Sequence, residues 1–260
     1  MAKEGVAAVE RALTVVDAFT ERDHSLTLTE LSRRTGFYKS TILRLSESLE
    51  KFGYLYRLED GTFRLGPKPL LLGALYQRHF RTADVVPRAL ASLVKELGES
   101  ASFYIRDGER RVCLHRLDSP RAIRDTIHEG DTLPLTVGAS GHVLLAFSGF
   151  VGDRYDAIRE SYFSASSGER DTETAAVSAP VFSSNQRLSG ALTVSGPRYR
   201  MEQMTAQQFL PPLFREAREL TRAFGGNPAV FPEASRIGAH AQRLWTTGRP
   251  GSTGARKNPR

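Results

Sequence analysis

The chain has 260 residues, 40% of them hydrophobic and 25% charged, enough apolar material for two ordinary domains. No uncharged apolar run approaches the ~18 residues of a membrane span, and the single cysteine, Cys113, excludes an internal disulfide or a multi-cysteine zinc site. The net charge is +7, yet Lys plus Arg against Asp plus Glu stands at 12 to 10 over residues 1–80, 18 to 18 over 81–224 and 6 to 1 over 225–260, so the excess belongs to the last segment and not to a basic domain.

Val9, Leu13, Val16 and Phe19 recur at three- and four-residue steps and predict the apolar face of a first helix. Thr27-Leu-Thr-Glu30 is a capping box: the Thr27 hydroxyl takes the Glu30 amide and the Glu30 side chain reaches back. It opens a second helix with Leu28 and Leu31 inward and Arg33 and Arg34 outward, and Gly36 supplies the turn after it. A third helix from Tyr38 to about Phe52 buries Ile42, Leu45, Leu49 and Phe52, and its other face carries Ser40, Leu43, Arg44, Glu47 and Lys51.

Leu55 to Leu65 alternates around Asp60-Gly61, a hairpin signal. A two- or four-residue loop places Leu58 opposite Phe63 and Arg57 opposite Arg64. Two like charges on one face of a ribbon cost stability unless an anion lies against them. Pro67-Lys-Pro69 punctuates the chain and starts a linker helix to about His79, whose Leu70, Leu71, Ala74 and Leu75 offer a surface to a partner.

From Asp84 a longer helix carries Val86, Leu90, Leu93, Val94 and Leu97 on one side and ends at Gly98. Strands are predicted at 101–106, 111–118, 123–129, 174–182 and 188–195. Helices are predicted at 138–147, 155–161 and 202–224. This order is α+β. Residues 226–260, rich in Gly, Pro, Arg and Ser, read as a disordered tail with Trp245 exposed in it.

Eight stretches then carry a resemblance: Ala8–Phe19, Leu31-Ser-Arg-Arg-Thr-Gly36, Lys39-Ser-Thr-Ile-Leu-Arg-Leu45, Leu65-Gly-Pro67, Gly130–Leu135, Gly138–Ala146, Ser178–Phe182 and Ala191–Pro197. In this order the chain resembles the IclR family of bacterial transcriptional regulators over residues 6–224. The resemblance implies an N-terminal winged helix-turn-helix (6–66), a linker helix (67–80) and a GAF-like effector-binding domain (81–225). It implies a homodimer or homotetramer acting on double-stranded operator DNA under a small organic or aromatic acid. The family's extra helical stretch between Ala146 and Glu169 is largely absent, which leaves one pocket wall thinner.

Within that frame the third helix enters the major groove. Lys39, Ser40 and Thr41 in its first turn suit phosphate oxygens. Arg44 is placed to read guanine and Leu43 a thymine methyl, while Arg33, Arg34, Arg57 and Arg64 clamp the backbone. In the second half, Gly138-Ala-Ser-Gly141 begins a helix whose free amides suit a carboxylate. Ala139 and Ser140, with Thr193 and Ser195 sharing one strand face, form the expected anion shell. The resemblance adds positions Ser166 and Ala176.

An enzyme reading is weak, because Gly138-Ala-Ser-Gly-His lacks the last glycine of G-x-S-x-G. His142 is read as a helix-surface residue and Cys113 as a core filler. Histidines 24, 79, 115, 128, 142 and 240 show no metal-ligand spacing, and no cofactor is implied. The opening Met-Ala-Lys-Glu-Gly-Val lacks the apolar core of an export signal, so a reducing cytoplasm is the expected compartment. The alternative is a GAF-like sensor or enzyme with a protein-contacting N-terminal module.

Overall fold

The computed structural model describes residues 5–20, 22–79 and 85–236, and the chain divides into two units between residues 80 and 81. The first contains α1 (Ala7–Asp17), α2 (Leu28–Thr35), α3 (Lys39–Lys51), β1 (Leu55–Arg57), β2 (Phe63–Leu65) and α4 (Lys68–His79). Val15, Leu26, Leu31, Ile42, Leu49, Leu55 and Phe63 close its core. Leu26 exchanges both backbone hydrogen bonds with Phe63, at 2.7 and 2.8 Å, tying the chain ahead of α2 to the hairpin. Thr27 Oγ1 accepts the Glu30 amide at 3.1 Å, and Gly36 ends α2 at φ 73°.

Four expectations change in this unit. The core-facing stripe of α1 is Ala12, Val15, Val16 and Phe19, and Val9 and Leu13 are exposed with Val6 on a second apolar stripe. Phe52 lies one residue past α3 and is 66% exposed, and Ser46 fills the buried position one turn after Ile42. Glu30 does not reach back to the cap, because its carboxylate is taken by Arg33 and Arg34.

The hairpin register is also shifted by one residue, to Leu55↔Leu65, Tyr56↔Arg64 and Arg57↔Phe63. The loop is the cause. The Gly61 amide donates to the Leu58 carbonyl at 2.9 Å, the Leu58 amide to the Thr62 carbonyl at 2.8 Å, and Gly61 takes φ 80°. That is a three-residue loop with a left-handed glycine, and an odd loop length moves each cross-strand pair by one.

In the second unit α5 (Val86–Leu97) buries Val86, Ala89, Leu90, Leu93, Val94 and Leu97 and stops at Gly98, φ 73°. An antiparallel sheet follows in the order β5-β4-β3-β8-β7-β6. Its strands are β3 (Ser100–Asp107), β4 (Arg110–Leu117), β5 (Thr132–Pro134), β6 (Ser164–Ser167), β7 (Thr174–Phe182) and β8 (Leu188–Pro197). The helices α5 and α9 (Ala206–Ala223) pack together against β3, β4 and β7. On the sheet also lies α6 (Ala139–Ala146), packed on β6, β7 and β8 and backed by α7 (Asp153–Ser161), while the single turn α8 (Arg198–Met201) follows β8.

Residues 123–129 form no strand. Two of their polar groups reach Arg116 instead: the Asp125 carbonyl accepts its guanidinium at 2.5 Å, and the Glu129 carboxylate accepts its backbone amide at 2.9 Å. The short β5 and β6, not expected from the sequence, pair with β4 and β7 at the two ends of the sheet.

The expected tail begins too early. Pro228–Val230 is a turn of 3-10 helix, and Phe231 is buried against Tyr162, Phe182 and Phe214. From residue 237 on, Trp245 included, that expectation lies outside the described residues. No helix among the described residues is long and apolar enough to cross a membrane.

Candidate functional site

Two regions carry chemistry, one in each unit. In the first, α3 has one core face and one wet face, so its polar N-terminal edge is presented outward. Lys39, Ser40 and Arg44 are exposed and, among the described residues, make no side-chain hydrogen bond or ion pair. Thr41 is half-buried beside them. Leu43, expected to face outward, is half-buried against the core cluster because α3 also packs on α1 and α2.

The two arginines of α2 differ from one another. Arg33 holds Glu30 at 2.6 Å but stays largely exposed. Arg34 is enclosed by acids: it meets Asp23 at 2.5 and 2.9 Å, Glu30 at 2.9 Å and the Ala18 carbonyl at 2.9 Å. The Arg34 and Thr20 hydrogen bonds hold the Asp23 carboxyl well below its usual range, and those from Arg33 and Arg34 hold Glu30 at about 2. Arg34 therefore fastens the α1–α2 connection, and its expected role as a free phosphate clamp is corrected.

On the hairpin, the shifted register puts Arg57 and Arg64 on opposite faces. Arg57 lies over the Phe63 ring at 5.6 Å and Arg64 over the Tyr56 ring at 5.4 Å, each a cation–π seat across the strands. They do not form the paired-charge phosphate seat that the expected register implied.

In the second unit, Ala139, Ser140, Ser166, Ala176, Thr193 and Ser195 all line one cavity of about 30 Å³. Strand alternation turns Thr193 and Ser195 toward it, and α6 brings its first turn to the same place. Gly141 permits this approach, because a Cβ there would lie 2.2 Å from the Leu135 carbonyl oxygen. Apart from Ser140, the expected anion shell is already in use, however. The Gly138 amide donates to Glu169 at 2.9 Å and the Ala139 amide to Ser166 at 2.9 Å. Ser195 donates to Asp125 at 2.9 Å. Thr193 and Ser178 lie 2.9 Å apart, and since Ser178 donates to the Leu192 carbonyl, Thr193 donates to Ser178.

Sequence reasoning missed the charged walls. Asp125 meets Arg170 at 2.6 Å. Arg111 is 2% exposed and its Nη1 donates to the Val137 carbonyl at 2.7 Å and to that of Pro134. Burial lowers the Arg111 guanidinium to about 10. A signal for Arg111 existed, since it shares strand parity with the buried Cys113; Asp125, in a segment misread as strand, had none.

His142 is corrected from surface to core. It is 3% exposed, with Nε2 2.7 Å from Glu169 and 2.8 Å from Arg154. Burial pushes Glu169 up, but hydrogen bonds from His142 and the Gly138 amide bring it below its ordinary value. Cys113 is buried, and burial pushes its thiol up to about 12, which suits a packing role.

Comparison with known proteins agrees with this layout. Residues 8–59 match the family model of the IclR helix-turn-helix domain, and residues 76–150 and 152–222 match that of the bacterial transcriptional regulator IclR C-terminal domain. The regulator XynR of Escherichia coli is 27% identical over 251 residues, covering 85% of this chain and 98% of the relative. The crystal structure of Thermotoga maritima IclR superposes with a TM-score of 0.68 at 19% identity, covering 84% of this chain and 98% of that one. An IclR homolog from Microbacterium hydrocarbonoxydans, complexed with 4-hydroxybenzoate, has a TM-score of 0.68 at 20% identity, covering 84% of this chain and 100% of that one.

Proposed function

This chain belongs to the IclR family of bacterial transcriptional regulators, and from that premise we propose that α3 reads operator DNA under the control of a small organic acid held in the cavity at the start of α6. The family consists of DNA-binding regulators and not of enzymes. The observation that carries the DNA-reading half is the unspent polar edge of α3: Lys39 and Ser40 for phosphate, with Thr41 beside them, and Arg44 one turn on for a base edge. Arg33 and one of the two hairpin arginines add backbone contacts.

Residues 6–66 are assigned to the DNA-binding domain, 67–80 to the linker helix and 81–225, extended to the buried Phe231, to the effector-binding domain. Two apolar stripes support self-association: Val6, Val9 and Leu13 on α1, and Leu70, Leu71 and Leu75 on α4 are all exposed within their unit. The complex of 4-hydroxybenzoate with a relative of the same fold supports an organic acid as the class of effector. A cavity of about 30 Å³ holds one or two waters, so the acid enters as the walls of the cavity move apart.

The test is fluorescence anisotropy on duplexes from the intergenic DNA beside the gene, repeated over a titration of carboxylic acids. Affinity should change reciprocally with acid binding. Operator affinity that stays constant through saturation by a bound acid contradicts the control half of the reading.

A further inference from the structure

We propose that the effector is a hydroxy acid with a single carboxylate, its carboxylate held by Arg111 and Ser140 and its hydroxyl donated to Asp125. This rests on reading the cavity as the effector site, and it follows from the unequal chemistry of the two walls. At the first wall a buried cation, Arg111, is left without a paired anion, because Glu169 is engaged by the Gly138 amide at 2.9 Å and by Arg154 at 3.5 Å. Arg111 is buried with no carboxylate within 4 Å among the described residues, and its Nε has no hydrogen-bond partner. Its guanidinium lies against the first turn of α6: a Cβ at Gly141 would sit 2.7 Å from Nη1, and one at Gly138 3.1 Å from Nη2. Glu169 answers the electropositive start of α6 through the Gly138 amide but forms no ion pair with Arg111, and a buried cation left unpaired is costly until an anion joins it. Ser140, 4% exposed, has no side-chain partner among the described residues and keeps its hydroxyl hydrogen for that anion.

On the second wall the hydroxyls of Ser195 and Thr193 and the Asp125 carboxylate, which pairs with Arg170, face the cavity as acceptors. Ser195 spends its hydrogen on Asp125, and Thr193 spends its own on Ser178. Asp125 receives one bond at each oxygen, from Arg170 and Ser195, which leaves further lone pairs for a donor. Charge sets the count of carboxylates. Asp125 is balanced by Arg170 and Glu169 by Arg154, so Arg111 remains. A second carboxylate would lie against Asp125 and be repelled.

The experiment is isothermal titration of the full chain with three matched sets: propionate, 3-hydroxypropionate and malonate; butyrate, 4-hydroxybutyrate and succinate; benzoate, 3-hydroxybenzoate and isophthalate. In the set that fits, the hydroxy acid should bind about tenfold or more tightly than its parent, and the dicarboxylate more weakly than the parent. Asp125→Ala should erase both differences, and Arg111→Gln should weaken every acid, each in a chain whose melting curve shows it folded. Equal binding of parent and hydroxy acid, or tightest binding by a dicarboxylate, overturns the hydroxy-acid proposal and leaves the acid-effector reading standing. Binding by none of the nine overturns both. The wild-type series decides this even if a variant fails to fold.

Discussion

Arg34 grips Asp23 at two points, Nη1 to Oδ2 at 2.5 Å and Nη2 to Oδ1 at 2.9 Å, across the turn that joins α1 to α2. Its neighbour Arg33 keeps a largely exposed guanidinium with one acidic partner. The two therefore separate in a mutational test. Arg34→Ala should lower the melting temperature and leave the salt dependence of DNA binding unchanged. Arg33→Ala should leave the melting temperature nearly unchanged and reduce the salt slope by about one.

The same acids predict a pH response. Glu30 is held at about 2 by Arg33 and Arg34 against an ordinary 4.5, and Asp23 moves in the same direction. A depressed folded value means that the stabilisation is fully present above pH 4.5 and is lost as pH falls through about 2. Calorimetric melts of the full chain should show this loss on acidification, and Arg34→Met should flatten it. An equal acid response in the variant would assign the effect to other carboxylates.

Arg44 and the hairpin arginines give a second contrast. Arg44→Ala should cost about 1–3 kcal/mol on the preferred duplex and relax preference at one base pair. A loss uniform over all sequences would move Arg44 to the phosphate class. Arg57 and Arg64 occupy opposite faces, so one of the single alanine variants should reduce the salt slope, and the double variant should lose no more than that one.

Core packing of the first unit has a weak point in Ser46, whose buried hydroxyl has no partner. Replacing an unsatisfied hydroxyl by a methyl removes a desolvation cost, so Ser46→Ala should stabilise by up to about 1 kcal/mol in chemical denaturation. Leu49→Ala, one turn on, should destabilise by about 2–5 kcal/mol.

The legible and illegible parts of this fold divide along physical lines. All of the expected inward residues of α5 are buried, because that helix has one apolar stripe. By contrast α1 has two such stripes, and periodicity has no means of ranking Val15 over Leu13 when one stripe is open to another molecule. The hairpin was visible in Asp60-Gly61, but its register turned on one extra loop residue. All six residues expected at the cavity line it: strand parity and a glycine-led helix point to Ala139, Ser140, Thr193 and Ser195, and the family resemblance to Ser166 and Ala176. The charges among them were not readable, because Asp125, Arg170 and Glu169 converge from segments distant in the chain or lacking any period. His142 was misplaced for a related reason: its partner Glu169 lies 27 residues away.

The most direct test of the account is equilibrium binding of the full chain to DNA selected from random duplexes, measured from low to high salt beside scrambled DNA. The account predicts a selected site preferred by about 10³ or more at physiological salt, a steep fall in affinity with salt, and loss of the preference in Arg44→Ala. Equal, salt-insensitive binding to selected and scrambled duplexes would contradict it.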